Sequence, residues 1–98
     1  MIKINIGCGG SPLKDYINTD MDSLDQIKKR YPNKTFDNDL IVKNYDIFNL
    51  PFENSSVDEI KTDSLIEHLS FIEEKKFFYE ITRVIKKDGK IEISTPDF

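Results

Sequence analysis

The first ten residues constrain the fold more than any other stretch of the chain. Isoleucine alternates with polar residues from Ile2 to Ile6, and the chain then continues directly into Gly7-Cys8-Gly9-Gly10. Alternating β-branched residues predict a β-strand, and the glycines predict a tight loop at its end. A glycine loop at the end of a strand lets backbone N–H groups approach a ligand closely. A plain turn without a ligand is the alternative interpretation.

The rest of the chain predicts four further strands and two helices. Residues 23–30 have weak helical character and stop before Pro32, because proline cannot continue a helix. Strands that alternate with helices predict an α/β fold with a largely parallel sheet. The four strands are predicted at residues 16–20, 40–46, 57–62 and 90–94.

The clearer of the two helices begins at a capping box formed by residues 70–73, Ser-Phe-Ile-Glu. Apolar residues then recur at i, i+4, i+7 and i+8 from Phe77, which predicts one buried helix face. We expect Lys86 and Lys87 in the last turn, where the helix dipole favours cations. Gly89 would then be the left-handed residue that ends the helix.

Two features predict that one face of the sheet is thinly covered. Only nine residues, Gly7 to Asp15, separate the first two strands, whereas a parallel crossover normally needs about a dozen or more. Strands one and five also alternate apolar with polar residues, whereas a strand covered on both faces is continuously apolar. We expect this face to meet solvent, or to be covered by another chain or a missing segment.

The composition predicts one small domain over residues 1–98. Charged residues make up 33% of the chain and both signs are interspersed, with a net charge of −4, which argues against nucleic acid as the main partner. A single cysteine excludes an internal disulfide and favours a reducing compartment. No apolar stretch approaches the ~18 residues of a membrane span, and no signal-peptide core is present. A cytoplasmic location is the resulting expectation.

Acidic or polar residues follow three of the predicted strands. Asp20 ends the second strand, Asp46 ends the third, and residues 62–64 follow the fourth. In open α/β sheets, ligands bind beyond the carboxyl ends of the strands, near the point where strand order reverses. A carboxylate at the second strand can accept both ribose hydroxyls, and one at the third can accept from an adenine amino group. Together with the glycine loop, these residues predict a nucleoside pocket.

Several stretches, in order along nearly the whole chain, resemble the class I S-adenosylmethionine-dependent methyltransferases of the Methyltransferase type 11-like kind. The resemblance implies a Rossmann-like sheet of order 3-2-1-4-5 and a subgroup with a shortened first crossover. It also implies a chain truncated after strand five, since family domains usually continue with another helix and two strands. The matching stretches are residues 4–9, 16–20, 46–52, 57–60 with 65–69, and 83–90 with 93–97.

The resemblance further implies S-adenosyl-L-methionine as the cofactor. Gly7, Cys8 and Gly9 would pass close to its methionine portion, and the carbonyl region of Thr62 would meet the ammonium group. Cys8 is more simply a small buried residue than a nucleophile, because no base is adjacent to it in the motif.

The nucleoside portion is implied to lie at the next two strands. Asp20 would bind the ribose hydroxyls. The alternative role for Asp20 is a loop cap, and Asp22 is the other candidate for the ribose contact. Met21 would pack on the adenine ring. Asp46 would take the adenine amino group with the Ile47 backbone beside it, unless Asp46 is only an N-cap or turn residue.

His68 is the single histidine and the one candidate catalytic residue. Its unperturbed pKa near 6.5 suits proton transfer, and it follows the fourth strand, close to where a methyl group would be presented. A structural or exposed histidine is the interpretation that we favour. The implied reaction is methyl transfer to a small-molecule acceptor or to a glycan- or lipid-linked one, with no metal.

Two other classes of function remain open at this point. The chain could be a truncated, non-catalytic nucleoside-binding or interaction module, which forms a homodimer through the edge of strand five or through the thinly covered face. A nicotinamide dinucleotide domain is weaker, because the loop lacks the third glycine at the required spacing. No helix N-terminus follows the loop to hold a pyrophosphate.

Overall fold

The computed structural model describes residues 1–8, 11–37 and 39–94. The predictions made for Gly9, Gly10 and residues 95–97 lie outside these described residues. No helix among them is long and apolar enough to cross a bilayer. The elements, in chain order, are β1 (Lys3–Ile6), β2 (Ile17–Thr19), α1 (Leu24–Arg30), β3 (Ile41–Lys43), β4 (Val57–Asp63), a 3₁₀ helix (Ile66–His68), α2 (Phe71–Val84) and β5 (Ile85–Ser94).

The five strands form one sheet in the order β3-β2-β1-β4-β5, and every neighbouring pair is parallel. The α/β fold class and the strand order predicted from the sequence are confirmed. Strand order reverses at β1, which pairs with β2 on one side and with β4 on the other. Because all strands run the same way, the residues that follow them meet along a single edge of the sheet.

The hydrophobic core lies between one face of this sheet and α2. Isoleucines of β1 and β4 pack there against the apolar stripe of the helix that the spacing from Phe77 predicts. Burying a side chain such as Phe77 stabilises the fold by about 1.5–3 kcal/mol relative to its exposure. The buried members of this cluster are Ile4, Ile6, Leu50, Val57, Ile60, Phe77, Ile81 and Val84.

The opposite face of β1, β4 and β5 carries charged side chains that reach solvent. Tyr16 donates a hydrogen bond to Glu59, and Lys3 Nζ lies 4.6 Å from the centre of the Tyr16 ring. Lys61 Nζ lies 3.4 Å from Glu92 Oε2, and both side chains are substantially exposed. Within the described residues, this part of the face is therefore charged and thinly covered.

Asn18 of β2 organises the short first crossover, which has no helix in its described residues. The side chain is fully buried. Its Oδ1 accepts hydrogen bonds from Leu13 N (2.8 Å) and Asn5 Nδ2 (2.9 Å), and its Nδ2 donates to Leu13 O (3.0 Å) and Ile41 O (2.9 Å). One amide therefore ties the crossover loop to β1, β2 and β3.

The prediction that the second helix runs to Lys87 and ends at Gly89 is wrong. The helix ends at Val84, and Ile85 has φ −71° and ψ 138°, because Ile85 already pairs with Val57 of β4. Lys86 and Lys87 lie in an irregular part of β5 instead of a helical turn. Gly89 is not left-handed; a Cβ there would lie 2.6 Å from Ile85 Cγ1, so any larger residue would require the Ile85 side chain to move.

Candidate functional site

A cleft of about 800 Å³ opens at the carboxyl ends of the strands, where strand order reverses. Three other hollows among the described residues measure about 220, 310 and 210 Å³. The cleft is therefore the main candidate site. Its lining residues are Gly7, Thr19, Asp20, Met21, Asp22, Arg30, Asn44, Tyr45, Asp46, Ile47, Phe48, Ser64, Leu65, His68, Leu69 and Glu73.

Gly7 provides bare main chain at the end of β1. Its φ of +67° is left-handed, and its N–H donates to Thr19 O at 2.8 Å. A Cβ on Gly7 would lie 3.3 Å from Leu65 Cδ1, so a side chain there would press against another part of the cleft wall. Both the backbone angle and the available space therefore favour glycine at this position.

Cys8 is not among the described lining residues of the cleft. The side chain is buried, and burial, followed by the negative charge of Asp20, raises the pKa of the thiol to about 12. Cys8 is therefore a neutral thiol at pH 7. This state fits the interpretation of a small buried residue and disfavours a nucleophile, since the thiolate is the reactive form.

Two neighbouring carboxylates, Asp20 and Asp22, follow the end of β2. Asp20 Oδ1 accepts a hydrogen bond from Asp22 N at 3.0 Å, which closes a turn just after the strand. Asp22 Oδ2 pairs with Arg30 Nη1, 2.5 Å away at the end of α1. The carboxylate of Asp22 is therefore engaged by an arginine on the cleft wall, and both carboxylates line the cleft.

Asp46 begins a turn after β3 that forms another wall of the cleft. Its Oδ1 accepts from Phe48 N at 2.9 Å, and its carbonyl accepts from Asn49 N at 3.1 Å. Asp46 is thus a turn residue in the structure, as one of the interpretations from the sequence had it. The bond from Phe48 N holds the carboxylate beside Ile47 and Phe48, which share the lining.

The segment between β4 and α2 forms the remaining wall. Ser64 has a left-handed φ of 58°, and its N–H donates to Ser94 O at 2.8 Å. This turn directs Leu65 over Gly7 and places the 3₁₀ helix at the rim. His68 lies on that rim with a side chain 75% exposed, and its Nε2 is 3.8 Å from Glu67 Oε1.

The charges around the cleft are predominantly acidic. Among the described lining residues, Asp20, Asp22, Asp46 and Glu73 carry carboxylates, and Arg30 carries the guanidinium. Since Arg30 pairs with Asp22, the remaining field favours a ligand with donors or a positive charge.

The cleft brings together most of the residues that the sequence singles out. Thr62 is not among its lining residues: it is buried, its Oγ1 has no hydrogen-bond partner, and it borders the 210 Å³ hollow beside Asn5. Gly9 lies outside the described residues. The predicted residues that line the cleft are Gly7, Asp20, Met21, Asp46, Ile47 and His68.

Sequence reasoning missed several lining residues. Arg30 reaches the site from the far end of a short helix, and no local pattern links it to Asp22. Tyr45 precedes Asp46 and Phe48 follows it by two positions, so the two aromatic residues near a predicted binding residue were a usable signal. The sequence indicated Leu65 only as part of the stretch 65–69 that resembles the family, without a contact to the site.

A parallel α/β sheet with a ligand-sized cleft at its switch point defines a Rossmann-like nucleotide-binding class. The family model described as "Methyltransferase domain" matches residues 4–93. The chain belongs to this methyltransferase domain family. A search of curated proteins gives no match.

Solved structures share the fold over nearly all of the chain. Phosphoethanolamine N-methyltransferase 1 of Haemonchus contortus, in complex with phosphoethanolamine and S-adenosylhomocysteine, is 21% identical with a TM-score of 0.70. The alignment covers 93% of this chain and 21% of that one. The PH0226 protein of Pyrococcus horikoshii is 22% identical with a TM-score of 0.71, over 93% of this chain and 47% of that one. The YcgJ protein of Bacillus subtilis is 19% identical with a TM-score of 0.66, over 93% and 42%.

The chain thus spans between about a fifth and a half of the length of these three solved structures.

Proposed function

We propose that residues 1–98 form a single S-adenosylmethionine-binding domain that takes part in methyl transfer. The family membership supports this proposal, and the Haemonchus contortus neighbour is described with S-adenosylhomocysteine. The observation that carries it is the convergence of Asp20, Asp46 and the bare main chain of Gly7 on one cleft. A cleft of about 800 Å³ falls within the usual range for small-molecule sites.

The residues present fit the chemistry of this ligand. Asp20 and Asp46 are hydrogen-bond acceptors, which match the ribose hydroxyls and the adenine amino group respectively. Met21 would cover the adenine ring, and the Ile47 backbone would lie beside it. The excess of carboxylates also suits a ligand that carries a positive sulfonium charge.

The methionine portion would lie toward β1 and β4. Gly7 would border it with bare main chain, and Gly7 is a position that a Cβ would crowd. The Thr62 carbonyl region would face the ammonium group. Leu65 packs over Gly7 on this side and would help to exclude water from the reacting centre.

When bound, S-adenosylmethionine supplies an electrophilic methyl group, which an acceptor displaces in line with the carbon–sulfur bond. The contribution of the chain would be to fix the cofactor and the acceptor in that line. His68, exposed on the rim, would accept the proton released by a hydroxyl acceptor. A small-molecule acceptor or a glycan- or lipid-linked one is the class that we propose.

A homodimer through the edge of β5 is part of the same proposal. Ile91 and Ile93 are each 39% exposed on that strand, which pairs on one side only within the described residues. A second copy would cover them. Light scattering at increasing concentration tests this point, and a constant monomer mass would reject it.

Calorimetric titration with S-adenosylhomocysteine tests the binding site. Asp20→Asn should weaken binding by roughly 1–3 kcal/mol, or about 5- to 150-fold in Kd, because a charge-assisted hydrogen bond is lost. Asp25→Asn is the matched control, since Asp25 is exposed on α1 and away from the cleft lining. Asp22→Asn distinguishes the two neighbouring carboxylates.

Three outcomes decide the interpretation. An unchanged affinity for Asp20→Asn with a loss for Asp22→Asn would move the ribose site to Asp22. No heat and no thermal shift with the unsubstituted protein would reject the cofactor assignment. Binding without transfer of labelled methyl to any acceptor would leave the nucleoside-binding module as the function.

A further inference from the structure

Helix α2 carries an ion pair outside the cleft lining, between the buried Glu80 and the partly exposed Arg83. Arg83 Nη2 lies 2.6 Å from Glu80 Oε2, and Arg83 Nε donates to Glu80 Oε1 at 2.8 Å, so the pair is bidentate. Glu80 is only 5% exposed. A bidentate arginine–carboxylate pair fixes both the distance and the orientation of its two groups.

This pair holds the backbone of the segment between β3 and β4. Arg83 donates to Leu50 O at 3.0 Å, to Phe52 O at 2.9 Å and to Asn54 Oδ1 at 2.9 Å. Glu80 Oε2 accepts the N–H of Leu50. The segment has no helix or strand of its own, so these side-chain bonds replace the backbone ladder that would otherwise fix its position.

The anchored residues follow directly on the Asp46 wall of the cleft. The turn that begins at Asp46 closes at Asn49 and leads into the buried Leu50. Phe52 packs edge-to-face on Tyr45, with ring centroids 5.9 Å apart, and Tyr45 lines the cleft. The turn is thus held at both ends, whereas neither Glu80 nor Arg83 is among the described lining residues.

We propose that Glu80 and Arg83 are positioning residues that set the adenine side of the cleft by anchoring Leu50 and Phe52. This inference rests on the proposed function of the cleft. The arginine fork bonds two backbone carbonyls, a side-chain amide oxygen and a carboxylate at once, and lysine cannot reproduce that geometry. An ion pair kept for stability alone is a weaker explanation, because buried pairs often stabilise a fold no more than apolar residues of the same size.

The test compares Arg83→Lys with Ile81→Val in the full chain. Ile81→Val is the matched control: it weakens the same helix and the core cluster that contains Leu50, but it removes none of the side-chain hydrogen bonds to the anchored segment. The probes are S-adenosylhomocysteine and its inosine counterpart, in which an oxo group replaces the adenine amino group. The ratio of their Kd values reports how Asp46 faces the base, which a general loss of stability would not change.

We expect the unsubstituted protein and Ile81→Val to prefer the adenine ligand by the same factor. Arg83→Lys should reduce this preference about five-fold or more, the scale of one misaligned hydrogen bond to a carboxylate. Asp46→Asn should also reduce the preference for the adenine ligand. The double variant with Arg83→Lys should show no further reduction. A preference in Arg83→Lys equal to that of Ile81→Val would overturn the inference, even though the site binds its ligand.

Amide hydrogen exchange of the ligand-free protein separates this inference from the proposed function. The Phe48 and Asn49 N–H groups, which bond to Asp46, should exchange several-fold faster in Arg83→Lys than in Ile81→Val. Equal exchange rates would reject the anchoring role. Should Arg83→Lys fail to fold, Glu80→Gln replaces it in both measurements, because it retains the acceptor for Leu50 and loses the charge.

Discussion

Replacing Asn18 by alanine should destabilise the protein far more than its small change in volume suggests. The side chain is fully buried and bonds both polar groups of Leu13, the Asn5 amide and the Ile41 carbonyl. Each buried group that loses its partner costs about 1–3 kcal/mol. Water can reach part of the loop, so we expect a total loss of about 3–5 kcal/mol.

That loss is a large fraction of the roughly 5–15 kcal/mol by which a domain is normally stable. Urea unfolding followed by far-ultraviolet circular dichroism measures it, with Asn33→Ala, at an exposed loop position, as the control. Asn18→Asp keeps the acceptor oxygen and loses the amide donor to Leu13 and Ile41. It should therefore also destabilise the protein, although alanine leaves more groups without partners.

An Asn18→Ala variant within about 0.5 kcal/mol of the Asn33→Ala control would refute this reasoning, since surface substitutions usually stay within that range. It would mean that the loop of the first crossover is held by its backbone and by packing, and that the amide of Asn18 is replaceable.

Two other predictions follow from the site and its support. Gly7→Ala should lower the free energy of unfolding by about 1–3 kcal/mol, because alanine must adopt φ +67° and contact Leu65. An unchanged melting temperature would contradict it. The Arg83 hydrogen bond lowers the pKa of Glu80, so its stabilisation is present above the unfolded value near 4.5 and is lost as pH falls through the folded value. Urea titrations between about pH 3 and pH 7 should therefore show a shallower acid loss for Glu80→Gln than for the unsubstituted protein.

The strands and their acidic tips could be predicted from the sequence because both depend on local patterns, whereas the strand order followed from the family resemblance. The alternation from Ile2 to Ile6 and the β-branched runs set the strands, and parallel strands necessarily bring Asp20 and Asp46 to one edge. The capping box at Ser70 likewise predicts the correct start of α2.

The features that were missed depend on contacts between distant residues. Lys86, Lys87 and Gly89 have the composition of a helix end, but pairing of Ile85 with Val57 ends the helix earlier. The bond from Arg30 to Asp22 and the anchoring of Leu50 by Glu80 likewise join different elements of the fold. No periodicity within one segment encodes such contacts.

The helix-free first crossover lowers the loop-closure entropy that is lost when the sheet begins to form. Ile4 pairs with Ile17 across 13 positions of the chain and with Ile60 across 56, by subtraction of the residue numbers. Loop-closure entropy grows as about 1.5 RT times the logarithm of loop length, which makes the nearer pairing less costly by about 1.3 kcal/mol. Pairing of β1 with β2 therefore carries a smaller entropic penalty in the unfolded chain than pairing of β1 with β4 in the second half of the molecule.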